Sequence, residues 1–282
     1  MQFFRKMEPF NNVVATGRAV LSSKLVLGNV VERIVLQLGG TFTKAMITAI
    51  RVRLNGKVVF GDISGTVIDL VQRYSLLNNT ATFLTIDFTE PLAKSIQGQL
   101  MGSLNLNALG ATDFTVEVDI AGATGPTLDA YVQMRSPYSM TKDKGFDETL
   151  GGVMRALIPT TIPVTAAGEI QADVNYGAGG NSLLKRLYIS SSILTSFRVK
   201  RDSLDIYDAT ATALATYLAL DYGRVAQANL YVADWLVDGN QSDAVPTRRP
   251  DRSVSNFQFL FTASGAGSHL VFADVYTTLA AL

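Results

Sequence analysis

Residues 50–60, IRVRLNGKVVF, return as a pattern at residues 197–207, FRVKRDSLDIY, at a shift of 147 in a chain of 282 residues. The correspondence continues outward. After the first copy come SGTVIDLVQRY (64–74) and ATFLTIDF (81–88); after the second come TATALATYLALDY (210–222) and ANLYVADW (228–235). Identities are few: Arg51 with Arg198, Val52 with Val199, Ala81 with Ala228 and Asp87 with Asp234. Other matches keep only character, as Phe60 does with Tyr207 and Phe88 with Trp235. Strand, turn, strand, helix, strand is the order in both. Chance recurrence of a common supersecondary unit is one explanation, and a duplicated domain is the sharper one.

Strand signals dominate both halves. Arg18–Gly28, Val31–Leu38, Ile47–Leu54, Lys57–Phe60, Ala81–Phe88, Phe114–Ile120 and Leu128–Met134 are rich in branched and aromatic residues, several alternating with polar ones. Glu169–Tyr176, Lys185–Ser190, Ser196–Lys200, Leu204–Tyr207, Asn229–Trp235, Phe257–Thr262 and Leu270–Tyr276 play the same parts later. Asn55-Gly56 predicts a type I′ hairpin, because both residues tolerate positive φ. One amphipathic helix per half is predicted, with Val67, Leu70, Val71 and Tyr74 on one face behind Ser64 as N-cap, and Leu214, Tyr217, Leu218 and Tyr222 after Thr210. The reading is all-β, with two tandem eight-stranded jelly rolls each carrying a short flanking helix. Its bounds are an amino-terminal arm (1–10), a first roll (11–138), a connector (139–165) rich in charge, glycine and proline, and a second roll (166–282).

Composition narrows the function. There is no cysteine, which excludes disulfides, thiolate metal sites and cysteine nucleophiles. Lys plus Arg (24) balances Asp plus Glu (24), so no basic excess is present for a phosphate backbone to use. Only 17% of residues are charged and the mean hydropathy is +0.22, an apolar balance that implies surface buried against partners. The uncharged stretch Ser253–Ala273 is long enough for a bilayer, but its polar residues and Gly265-Ala266-Gly267 break predict two strands and a turn. MQFFRKMEPF lacks the apolar run of a secretory signal, so the expectation is a cytoplasmically made protein with a loose amino-terminal arm.

Catalytic signals are sparse. His269 is the sole histidine, lies in an apolar strand-like run, and reads as structural. Ser139-Met140-Thr141-Lys142 has Ser-x-x-Lys spacing without the partner motifs of that chemistry. Gly177-Ala178-Gly179-Gly180 falls in a turn rather than between strand and helix, so it supplies flexibility and not phosphate binding. Asp202, Asp205 and Asp208 are weak candidates for structural calcium; spacing of three puts neighbours on opposite faces of a strand, and only a turn would gather them. Arg248, Arg249 and Arg252 form a small basic run that reads as a solvated loop. Trp235, matching Phe88, favours core packing over a sugar platform. Asp87 and Asp234 sit at equivalent points of separate copies, against their pairing as a glycosidase's carboxylates.

NVVATGRAVLSSKLVLG (12–28), AIRVRLNGK (49–57) with its following helix, and FTVEVDIAGATGPTLDAYVQ (114–133) together resemble the major coat proteins of corticoviruses. These are double jelly-roll capsid proteins, of the lineage that includes tectivirus coats and the adenovirus hexon. The resemblance implies a non-enzymatic capsid protein of an icosahedral dsDNA bacterial virus, without cofactors, forming pseudo-hexameric homotrimers that tile the virion. It implies other coat partners such as a vertex protein, and an enclosed membrane. Phe3, Phe4, Arg5, Lys6 and Phe10 would then suit an inward arm meeting lipid headgroups. The alternative is a two-domain β-sandwich that binds carbohydrate or mediates adhesion.

Overall fold

The computed structural model describes residues 2–77, 80–137, 141, 152–177, 181–214 and 223–282. The first half contains β1 (Gln2–Lys6), β2 (Gly17–Ser22), β3 (Val30–Gly39), β4 (Ile47–Leu54), β5 (Lys57–Ile63), α1 (Gly65–Tyr74), β6 (Phe83–Asp87), α2 (Ile96–Leu100), β7 (Leu104–Asn105), β8 (Phe114–Ile120) and β9 (Thr127–Arg135). The second contains β10 (Val153–Val164), β11 (Gly168–Ala172), β12 (Leu183–Ser190), β13 (Leu194–Arg201), β14 (Leu204–Thr210), β15 (Leu230–Asp234), β16 (Val245–Pro246), β17 (Phe257–Ala263) and β18 (Gly267–Thr278).

Each half folds as two facing sheets with one strand order. The first pairs β1-β9-β3-β6 and β2-β8-β4-β5; the second pairs β10-β18-β12-β15 and β11-β17-β13-β14. Both are jelly rolls. Strands β4, β5 and β6 recur in β13, β14 and β15: Ile47–Leu54 becomes Leu194–Arg201, and Phe83–Asp87 becomes Leu230–Asp234, again at the shift of 147. The hairpin turns also correspond, with Asn55 and Gly56 at φ 49 and 78 and Asp202 and Ser203 at φ 50 and 72.

Alternation builds the core. In β8 every second residue, from Phe114 to Ile120, is buried, while Thr115, Glu117 and Asp119 face outward. Ser64 caps α1 by accepting from the Val67 N–H. Thr210 does the same for the second helix, accepting from the Ala213 N–H, and Leu214 is buried. Tyr217, Leu218 and Tyr222 lie outside the described residues, as do Ser139, Met140 and Lys142, Gly179 and its two neighbours, and residues 143–151 of the connector.

Two expectations are corrected. Gln2–Lys6 is not a loose arm: it is strand β1, paired antiparallel along β9, and Phe10 lies in the core at 8% exposure. The connector is not irregular at its end either, since Val153–Val164 is β10, the counterpart of β1, paired along its length with β18. Strand β10 also meets β5 in parallel at Leu157 and Phe60, which joins sheets from both rolls into one sheet of nine strands. Ser253–Ala273 contains β17 and the start of β18; among the described residues no helix is long and apolar enough to cross a membrane.

Candidate functional site

The two rolls meet across a buried charged seam. In each roll the strand next to the last carries an adjacent charged pair inside an apolar run: Glu32-Arg33 in β3 and Lys185-Arg186 in β12. A β-bulge falls at the same place in both, so that Glu32 and Lys185 are the unpaired residues. Arg33 then stands opposite Asp87 on β6, and Arg186 opposite Asp234 on β15. Their Nε atoms lie 2.9 Å and 2.8 Å from the carboxylates. The duplication is therefore chemical as well as topological.

What surrounds these pairs differs. In the first roll Glu32 takes contacts from Arg135, Gln133 and Gln2, all of its own roll. In the second, Lys185 is wholly buried and lies against Glu90, which belongs to the loop after β6 in the first roll. Arg186 also donates to Glu90 at 2.8 Å. Arg155 of β10 forms a two-pronged pair with Asp274, both contacts 2.8 Å, and donates to the Asp87 carbonyl at 2.9 Å. Lys185 reaches Asp274 at 3.2 Å, and its ammonium sits 4.4 Å from the centre of the Tyr276 ring. Tyr74 of α1 donates to Asp234 at 3.2 Å.

Three cations and three carboxylates (Arg155, Lys185, Arg186; Glu90, Asp234, Asp274) are thus mutually neutralised. Burial alone would raise Glu90 and Asp274, but neighbouring guanidinium and ammonium groups outweigh it and hold both below the usual carboxylate range. Burial, with Arg155 adding repulsion, pulls Lys185 down to about 8. Tyr74, Tyr188 and Tyr276 are pushed up by burial and stay protonated. An amine with this pKa suits proton transfer or nucleophilic attack, but Lys185 has no exposed surface from which to meet a substrate. Its role is cohesion between rolls.

The other candidates do not converge. Asp202 lies in the β13–β14 turn, where its carboxylate is taken by Arg249 and by the Asn256 N–H at 2.9 Å. Asp205 faces Lys200, and Asp208 stands opposite Arg198. The turn gathers Asp202 alone, and among the described residues no group of three His, Asp or Glu is arranged to hold a metal ion. His269 is buried, bonded through Nδ1 to Ser191 Oγ at 2.8 Å and stacked on Phe261, with burial lowering its pKa. Arg248 donates to the Arg252 carbonyl, closing the basic loop on itself. Trp235 packs edge-on against Tyr207, consistent with a core role.

Two rolls of identical strand order, in tandem on one chain and fused through a common sheet, define a double jelly-roll coat protein. The same architecture appears in the major capsid protein P2 of bacteriophage PM2 (TM-score 0.81, 17% identity, covering 99% of this chain and 98% of that one). It appears also in the major capsid protein of STIV (TM-score 0.71, 12% identity, 99% and 97% covered) and in the PBCV-1 virus capsid (0.62, 10%, 98% and 93%). No curated protein sequence matches. The chain belongs to the viral coat protein P2 family, whose N-terminal domain matches residues 4–135 and whose C-terminal domain matches residues 154–279. It is a viral coat protein, a structural component of the virion and not an enzyme.

Proposed function

We propose that the protein assembles as a homotrimer whose six rolls form a pseudo-hexagonal tile of an icosahedral shell, and that the virus is a bacterial one enclosing a membrane. The observation that carries the reading is the repetition of one roll: strand order, bulge and the Arg–Asp pair all recur, so three chains present six comparable blocks. The relative from bacteriophage PM2 supports the host, and a turreted icosahedral virus among the relatives supports the shell geometry. Other coat components, including a vertex protein, would complete such a shell. The domain division follows the described strands, with the first roll within residues 2–137, the second within 152–282, and the link between them.

The membrane part of the reading rests on the resemblance and no longer on a free arm. Of the arm residues, Phe10 is in the core and Phe3 is partly buried, while Phe4, Arg5 and Lys6 are exposed, Lys6 pairing with Asp129. Permanent interfaces of this class bury on the order of 2,000–5,000 Å². Trimers should therefore persist at micromolar concentration, sedimenting near three times 30.3 kDa, and negative-stain images should show six-lobed tiles. A stable monomer would overturn the reading. Phospholipid in purified particles tests the membrane separately.

A further inference from the structure

Asn55-Gly56 is the one Asn-Gly step in the chain. Such a step is chemically labile: the following backbone nitrogen can attack the asparagine Cγ and close a five-membered imide, and a glycine, lacking a Cβ, leaves that nitrogen open. Gly56 is exposed at the hairpin tip, and a Cβ on it would meet nothing within 4 Å. Attack also needs the reacting atoms held about 3–3.5 Å apart in line. The fold holds the amide elsewhere. Strand β4 lies between β5 and β8, and the Asn55 side chain is tied on the β8 side, to residues 110–113. Its Oδ1 accepts from the Thr112 N–H at 2.8 Å, the Thr112 hydroxyl at 3.2 Å and the Asp113 N–H at 3.2 Å, while Nδ2 donates to the Gly110 carbonyl at 3.1 Å. To meet the Gly56 nitrogen, which leads into β5, the side chain must turn away from these partners.

The second roll displays an acid at the same place. Asp202 stands where Asn55 does, with φ 50 against 49. Its Oδ1 accepts from the Asn256 N–H at 2.9 Å, as Asn55 Oδ1 accepts from the Asp113 N–H, and both Asn256 and Asp113 immediately precede the next strand inward. The backbone bonds match too, Asp202 N–H to the Asn256 carbonyl and Asn55 N–H to the Asp113 carbonyl. One partner differs. Asp202 Oδ2 accepts from Arg249 Nε at 3.1 Å, whereas Asn55 Nδ2 donates to the carbonyl of Gly110. Exchanging the Asn55 amide for a carboxylate would set an anionic oxygen against that carbonyl, with the hydrogen bond lost. A cation holds the acid in the second roll, and a carbonyl would repel it in the first.

We propose that Asn55 is a guarded modification site: its clip to residues 110–113 keeps it unreactive in the closed turn, local opening lets it deamidate, and the acid formed leaves that loop released. In the reaction the Gly56 nitrogen bonds to Asn55 Cγ as the Cγ–Nδ2 bond breaks, and the Gly56 N–H proton leaves with the ammonia. Water then opens the imide at either carbonyl, giving aspartate or isoaspartate. Peptide mass spectrometry after incubation in mildly alkaline buffer tests the guard. In urea-unfolded protein Asn55 should convert ahead of every other asparagine, and in folded protein roughly tenfold or more slowly. Thr112→Ala, which removes one donor to Oδ1, should speed conversion in the folded state and leave the unfolded rate unchanged. Folded protein that reacts as fast as the unfolded chain, or a folded rate indifferent to Thr112→Ala, overturns the guard. Asn55→Asp tests the release: thermolysin should cut the loop around Leu109 several-fold faster than in the wild type, with an unchanged circular dichroism spectrum. Equal cutting of the two proteins overturns the release.

Discussion

Lys185 on the second roll has no solvent exposure and lies against Glu90 on the first, so a buried ion pair spans the two sandwiches. Removing one member leaves the other buried with a reduced set of partners, Asp274 for Lys185 and Arg186 for Glu90, so the loss should stay below the about 3–5 kcal/mol of a buried charge left with none. Glu90→Gln and Lys185→Met should each lower the unfolding midpoint markedly in thermal or chemical denaturation. The double variant should lose less than the sum of the two. Additive losses would show that the pair is not coupled.

The same cluster sets a pH response. Glu90 and Asp274 titrate below their ordinary values of 4.5 and 3.8, so their contribution is complete above those values and is lost as pH falls toward their lowered native ones. Asp87, raised by burial, offsets a part of this. Lys185 acts in the alkaline range: its native value of about 8 lies below the unfolded 10.5, so the unfolded chain binds more protons and stability rises between the two. Melting temperature should fall below about pH 4.5, and Lys185→Met should remove the alkaline rise. A flat profile down to pH 3 would contradict the first part.

Gly102 touches both rolls. Its φ is +91, and a Cβ there would lie 2.7 Å from Tyr276 Cε1, 3.0 Å from the Phe88 carbonyl oxygen and 3.1 Å from Arg155 Cβ. Gly102→Ala combines a left-handed backbone with overpacking, and a loss of roughly 1–3 kcal/mol is expected. Gly56→Ala, also at positive φ but with open space around it, should cost less. Equal losses at the two sites in urea unfolding would remove the packing contribution.

Asp202 is committed to Arg249 and the Asn256 N–H rather than to a cation. Millimolar calcium or its chelation should leave the unfolding curve of the isolated protein unchanged, whereas Asp202→Ala should speed proteolysis of the loop around Arg249. A calcium-dependent rise in melting temperature would restore the metal reading.

The duplicated hairpin was legible because β4 alternates from Ile50 to Leu54 and the Asn55-Gly56 turn announces itself. Strands β1 and β10 were hidden for opposite reasons. QFFRK (Gln2–Lys6) is an edge strand with little buried face, and β10 contains Pro159 and Pro163, which ordinarily argue against a strand. They are tolerated because β10 is bonded along only one side, meeting β5 at a single point. The seam was invisible because its charges come from five distant segments. Its signal was present in Glu32-Arg33 and Lys185-Arg186, adjacent charges inside runs that are otherwise apolar.

The join between β5 and β10 has a mechanical result. Blocks tied by a shared sheet and buried ion pairs resist rocking against one another, so a shell made from them would take its curvature from the contacts between chains and not from within a chain. Stiffness built into each chain would leave the angle between neighbouring chains as the adjustable quantity in particle size.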